Sequence, residues 1–222
     1  MNDFTTLIKD SLEIRIVRLP DEEGDGPILI APVLNNEDTQ VAIFTGENAT
    51  GKSLFADGII RALANKAGFE GIIVNMKYRT GGGIRAAFMF GDETNESTGY
   101  ISARTLTTGF STCEKRTNPH ILILDEPEIG LSPKYQVAMG KRLNSFCGNL
   151  PPMTKGIVIC THSKILVQQL NIPFHFLRFG DHLGYQEWLE QDDFNVSEAD
   201  LEKLLDQGIE QFREISQFLK QS

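Results

Sequence analysis

Three places in this sequence carry side chains whose types and spacing suit the handling of a polyphosphate. The first is Gly46-Glu47-Asn48-Ala49-Thr50-Gly51-Lys52-Ser53, which fits the pattern of a glycine, four free positions, Gly-Lys, and Ser or Thr. Its glycines permit a tight backbone turn and close approach of an anion. Successive N–H groups and the positive end of a following helix would face a β-phosphate. Lys52 would reach the β- and γ-phosphates, and the Ser53 hydroxyl suits a hard cation such as Mg²⁺. The second is the acidic end of Ile121-Leu-Ile-Leu-Asp125-Glu126-Pro127-Glu128. Asp125 suits the metal's coordination shell, and Glu126, one residue on, suits polarising a water for in-line attack. The third is Gly156-Ile-Val-Ile-Cys160-Thr161-His162-Ser163, where a neutral imidazole at His162 could hydrogen-bond a γ-phosphate or steady that water.

These residues need elements that end side by side. The apolar run 41–45 reads as a strand feeding the loop, and 54, 59, 60, 63 and 64 keep a helical period after it. The runs 121–124 and 157–160 are short and unbroken, which suits strands buried on both faces of a parallel sheet with helices on either side. Further strands are expected at 12–19, 28–33, 71–75, 174–179 and 184–189, the last two closing the sheet or forming a terminal hairpin. Helices are expected at 101–116 and 133–146. Ser197-Glu-Ala-Asp200 reads as a helix N-cap, and 201–219 carries one apolar face that suits docking on the core. The fold class expected is α/β: a central, mostly parallel sheet flanked by helices, with a small antiparallel β part near the N-terminus.

The combination of the Gly46–Ser53 loop, Leu-Asp125-Glu126-Pro127-Glu128 and Thr161-His162 resembles an ABC-type ATPase of the P-loop NTPase class. The nearest kin by motif are soluble ones: SMC-type heads, RecF-like ATPases, and stand-alone ATPases of phage and bacterial defence systems. The resemblance covers 41–64 and 121–163 and is thin elsewhere. It implies ATP and Mg²⁺ as ligands, Gly46 to Ser53 as the Walker A loop, Ser53 and Asp125 at the metal, Glu126 as catalytic glutamate and His162 as switch histidine. It also implies hydrolysis between two head-to-tail copies, with 1–190 as the ATPase domain and 191–222 as an acidic helix packed on it.

The sequence departs from that family in several ways. Leu-Ser-Gly-Gly-Gln is absent, and Ser97-Thr98-Gly99 before the helix at 101 is the substitute that could meet the phosphate of a second copy. A plain N-cap by Ser97 or Thr98 is the other reading of the same residues. No glutamine lies between Gln40 and Gln136, so the Q-loop residue is missing and Asn75 is a weak replacement. No aromatic lies between Phe4 and Phe44, so the usual base-stacking side chain is missing too; Arg15 or Arg18 is an alternative contact. The short span 54–96 leaves little room for a helical subdomain, so mechanical output is expected to pass through a protein partner, with Lys77 to Arg85 a candidate surface. Nucleic acid would be reached through that partner, in a phage, mobile-element or defence process. A transporter subunit, a nucleotide-gated module with little turnover, and a small-molecule kinase are the rival readings.

Composition narrows the choice. Of 222 residues 41% are hydrophobic and 23% charged, enough apolar material for a packed core. No apolar run approaches bilayer length, the N-terminal stretch lacks the order of a secretory signal, and Cys113, Cys147 and Cys160 have no metal-ligand or disulfide pattern. A reduced, cytoplasmic protein without a membrane role is expected. The net charge is −9, and eleven acidic against three basic residues lie in 181–222. That balance lacks the basic footprint of an autonomous nucleic-acid binder.

Overall fold

A computed structural model describes residues 3–20, 25–35, 39–75, 97–192 and 197–221. Seven strands form one sheet: β1 (Val17–Arg18), β2 (Ile28–Val33), β3 (Val41–Gly46), β4 (Glu70–Asn75), β5 (His120–Asp125), β6 (Thr154–Cys160) and β7 (His175–Phe179), in the spatial order β1-β2-β7-β3-β6-β5-β4. Strands β3 to β7 run parallel to one another, and β2 pairs antiparallel with β7. The antiparallel part expected near the N-terminus is thus β2, which joins the main sheet at its edge.

The unbroken apolar strands are buried on both sides, and alternate residues go to opposite cores. Ala42, Phe44, Ile121, Ile123, Val158, Cys160, Leu177 and Phe179 face one core; Val41, Ile43, Leu122, Leu124, Ile157, Ile159 and Phe176 face the other. The first core is covered by α1 (Phe4–Leu12) and by a continuous helical run. That run comprises α2 (Lys52–Leu54), a π-helical stretch (Phe55–Ile60) and α3 (Arg61–Lys66). The second is covered by α4 (Thr98–Lys115), α5 (Pro133–Cys147), α6 (Lys164–Val167) and α7 (Tyr185–Glu190). The C-terminal helix α8 (Glu198–Gln221) contributes Ile215 and Phe218 to the first core.

Phe44, Phe55 and Phe179 meet beneath the Gly46–Ser53 loop with ring centroids 5.4–5.7 Å apart. All three are fully buried, and each such ring contributes roughly 2–3 kcal/mol by leaving water. The cluster fixes the end of β3 against the start of the helical run, so the loop between them has a rigid floor.

Two segments differ from the sequence expectations. The strand expected at 12–19 shrinks to Val17–Arg18, because α1 runs through Leu12 and the chain then turns over 13–16, where Val17 N donates to Ile14 O at 2.8 Å. Phe4, Leu7, Ile8 and Ser11 recur at helical spacing and are buried, and the Asp3 carboxylate accepts from Thr6 N at 2.7 Å as the N-cap. The strand expected at 184–189 is instead α7. There the Glu187 carboxylate reaches back to accept from Gly184 N at 2.8 Å, and Trp188 packs near Phe176. The candidate surface at 77–85 lies outside the described residues.

Candidate functional site

Parallel strands that end together give a crevice at their carboxyl ends. Here β3 ends in Gly46, β4 in Asn75, β5 in Asp125, and β6 leads into Thr161 and His162. The loop from Gly46 to Ser53 turns sharply over this edge. Gly46 has φ 142°, and a Cβ there would lie 2.3 Å from the Phe179 carbonyl oxygen; Gly51 has φ 93°. Both positions therefore require glycine. Thr50 Oγ1 donates to Glu47 O at 2.8 Å and closes the turn.

Lys52 is buried within this loop. Its ammonium donates to Gly46 O at 2.7 Å and Glu47 O at 2.6 Å. Burial opposes the charge and pulls its pKa down to about 8, with the nearby carboxylates of Glu126 and Glu47 offsetting part of the fall. A cation held at such a cost in desolvation gains strongly when a phosphate oxygen supplies the opposite charge.

Ser53 Oγ donates to Asp125 Oδ1 at 3.1 Å, and Asn75 Nδ2 donates to Asp125 Oδ2 at 2.6 Å. The pair of hard oxygens fits Mg²⁺, a cation that keeps several waters and binds through one or two protein oxygens together with substrate phosphates. No cluster of three or more His, Cys, Asp and Glu side chains suited to a metal occurs among the described residues, so the donor set does not resemble a closed all-protein cage.

Glu126 adopts φ 54°. Ala49 in the phosphate loop, at φ 64°, is the other non-glycine residue with positive φ among the described residues. Left-handed backbone at a non-glycine costs about 1–3 kcal/mol and persists only where surrounding structure imposes it. Here Glu126 N donates to Cys160 O at 2.9 Å and the chain turns at once, with Ile129 N donating to Glu126 O at 3.2 Å. The Glu126 carboxylate lies 3.5 Å from His162 Nε2. The His162 backbone is fixed by Glu128, whose Oε1 accepts from His162 N at 3.0 Å and from Thr161 Oγ1 at 2.6 Å. Burial raises the pKa of Glu128, while those two hydrogen bonds act against the rise.

Lys52, Ser53, Asp125, Glu126 and His162 are therefore brought to one edge of the sheet. Asn48, Ala49, Thr50, Gly51, Lys52, Ser53 and Glu126 line a cavity of about 400 Å³, in the range of small-molecule sites. Ser97, Thr98 and Gly99 are not part of it. They line a separate cavity of about 1050 Å³ with Gly130, Leu131 and Ser132. Ser97 caps α4, accepting from Tyr100 N at 3.4 Å, and Gly99 lies so close to Gly130 that a Cβ would stand 2.7 Å from its carbonyl oxygen. Arg15 does not enter the crevice wall either: its guanidinium lies over the Phe218 ring, 5.0 Å from the centroid, and Arg18 is exposed on β1.

Three contributors were not assigned by sequence reasoning. Arg178, on β7, is 2% exposed, forms a two-pronged pair with Asp181 (2.6–3.0 Å) and approaches Glu47 Oε1 at 3.7 Å. Its neighbours in sequence are apolar strand residues, so no local pattern marks it. Glu128 stood within the acidic motif, but its acceptor role depends on β6 lying alongside β5. The third is α8: Gly208, Gln211, Phe212, Ile215 and Ser216 form the wall of the cavity opposite the phosphate loop.

Comparison with known proteins gives limited coverage. No family model matches the chain. A 55-residue stretch, 25% of the chain, is 42% identical to a protein of Methanosarcina acetivorans named "Putative ABC transporter ATP-binding protein". The structure of C. elegans PCH-2 aligns with 63% of the chain at 13% identity and a TM-score of 0.37. The aligned parts span 18% of the archaeal protein and 34% of PCH-2. The local similarity to an ATP-binding protein and the α/β sheet with its Gly46–Ser53 loop support a P-loop ATPase. No helix among the described residues is long and apolar enough to cross a membrane.

Proposed function

We propose that this chain binds Mg-ATP at the ends of β3, β5 and β6 and hydrolyses it to ADP and phosphate, as an ABC-type ATPase. The observation that carries the proposal is the meeting of the buried Lys52, the Ser53–Asp125 pair and the Glu126–His162 pair at one edge of the sheet, where Lys52, Ser53 and Glu126 line one cavity. Lys52 exchanges the carbonyls of Gly46 and Glu47 for phosphate oxygens and gains charge neutralisation. The loop amides hold the β-phosphate. Bound Mg²⁺, held by Ser53 and Asp125, supplies charge stabilisation at the phosphates. Glu126 accepts a proton from the attacking water as that water's oxygen bonds to the γ-phosphorus and the bond to ADP breaks. His162 keeps the Glu126 carboxylate in place.

Ser97, Thr98 and Gly99 sit on a different cavity from Lys52, so they would reach a triphosphate only from another copy. That separation supports an ATP-gated, head-to-tail dimer, the closed state being favoured because ATP makes cross-interface contacts that ADP does not. Coupling to a protein partner, and through it to nucleic acid in phage, mobile-element or defence processes, rests on the sequence resemblance.

The test is binding and turnover with Lys52→Ala and Glu126→Gln. Lys52→Ala is expected to lose Mg-ATP binding, and Glu126→Gln to retain binding, lose phosphate release and run as a dimer in size-exclusion chromatography with Mg-ATP. Unaltered binding by Lys52→Ala removes the site assignment, and a monomeric Glu126→Gln chain saturated with Mg-ATP removes the homodimer.

A further inference from the structure

Helix α8 presents two different faces. Ile215 is buried, Phe218 packs on the core, and Gln211 Nε2 donates to Pro27 O at 2.7 Å, which fixes the helix along the start of β2. One step around the helix, Phe212 is 72% exposed, although it stands on the cavity wall facing the phosphate loop. A large aromatic left in solvent at the rim of a ligand cavity has an unused apolar face of the kind that heterocycles stack on. The helix packs against the loop at Gly208, where a Cβ would lie 3.4 Å from Ala49 Cβ, in ordinary van der Waals contact.

Charge separates the parts of a ligand along this cavity. At about 100° per residue, Asp206, Glu210 and Glu214 project from the side of α8 opposite Gly208, Phe212 and Ile215, and all three are exposed. The wall toward the cavity is thus apolar and weakly polar, while the cationic and amide groups lie across from it on the loop. A polyphosphate gains nothing from such a wall, whereas a planar, uncharged ring does.

We propose that the α8 face carrying Phe212 is the base-binding wall of the site, and that Phe212 stacks on the nucleobase of a nucleoside triphosphate whose phosphates lie on the Gly46–Ser53 loop. This rests on the triphosphate reading of that loop, and the test separates the two. Base–aromatic stacking is worth about 5- to 150-fold in affinity per base.

The test is calorimetric titration of the full chain with Mg-ATP and, in parallel, with magnesium tripolyphosphate, which has the phosphates but no base. Phe212→Ala is expected to weaken Mg-ATP by about 5- to 150-fold and leave tripolyphosphate unchanged, and Phe212→Trp to restore Mg-ATP binding. An unchanged affinity for Mg-ATP in Phe212→Ala, or an equal loss for both ligands, overturns the stacking role. Unaltered Mg-ATP binding by Lys52→Ala overturns the phosphate-loop reading, and the stacking inference with it.

Discussion

Replacing Lys52 by Met keeps an unbranched side chain of similar length and removes the charge. The folded protein holds Lys52 with a pKa of about 8, against 10.5 for the free side chain. That gap corresponds to about 3 kcal/mol spent on keeping the cation buried at neutral pH. The sign follows from proton binding. Below about pH 8 both states bind the proton and the cost is fully present. Between about 8 and 10.5 the unfolded chain holds more protons than the folded one, so stability rises with pH and the cost is relieved. Other groups titrate there as well. Burial pushes Cys147 up to about 12 and holds Cys160 well above the usual thiol range, and those thiols make stability fall as pH rises past 9. They are common to both proteins, and Lys52 acts on the Cys160 thiol, so the difference between wild type and Lys52→Met reports the lysine together with that coupling. Guanidinium denaturation of the ligand-free proteins at pH 7 to 10.5 should show wild type gaining about 2–3 kcal/mol on the variant across that interval. Parallel stability curves would refute the claim that the loop holds a strained, desolvated cation.

Further outcomes follow from individual contacts. Glu126→Gln should cut phosphate release by about 100- to 10,000-fold in a single-turnover assay while Mg-ATP still binds, because the amide cannot take the water's proton. Glu128→Ala should destabilise the fold by about 1–3 kcal/mol in chemical denaturation, since it leaves Thr161 Oγ1 and His162 N without their acceptor. Glu128→Gln should be close to neutral, because an amide oxygen still accepts and burial already disfavours the charge. Gly46→Ala should lose Mg-ATP binding and at least about 2 kcal/mol of stability, as its Cβ would meet the Phe179 carbonyl at 2.3 Å.

The sheet was legible because its strands are short, apolar on both faces and bounded by chemistry-bearing residues. The segments 41–45, 121–124 and 157–160 all fall within observed strands, and the helix at 133–146 falls within α5. The ends of the chain were less legible. Ile14 and Ile16 make 12–19 look alternating, but the 3.6-residue recurrence of Phe4, Leu7, Ile8 and Ser11 just before it decides the local structure. At 184–189 the aromatic pair Tyr185 and Trp188 has strand propensity. A backbone-capping Glu187 and the packing of Trp188 beside Phe176 make a helix there instead. The phosphate loop, Asp125, Glu126 and His162 stood out because their types and order are informative without a partner in view. Arg178, Glu128 and Phe212 have roles that exist only once distant segments are adjacent, and no local pattern encodes that adjacency.

The most direct measurement is a crystal structure of Glu126→Gln with Mg-ATP. The convergence of the three segments predicts Lys52 Nζ moved from the Gly46 and Glu47 carbonyls onto phosphate oxygens, Ser53 and Asp125 at the metal, and His162 beside residue 126. Nucleotide bound away from the Gly46–Ser53 loop, or Lys52 still on those carbonyls with the triphosphate in place, would contradict it.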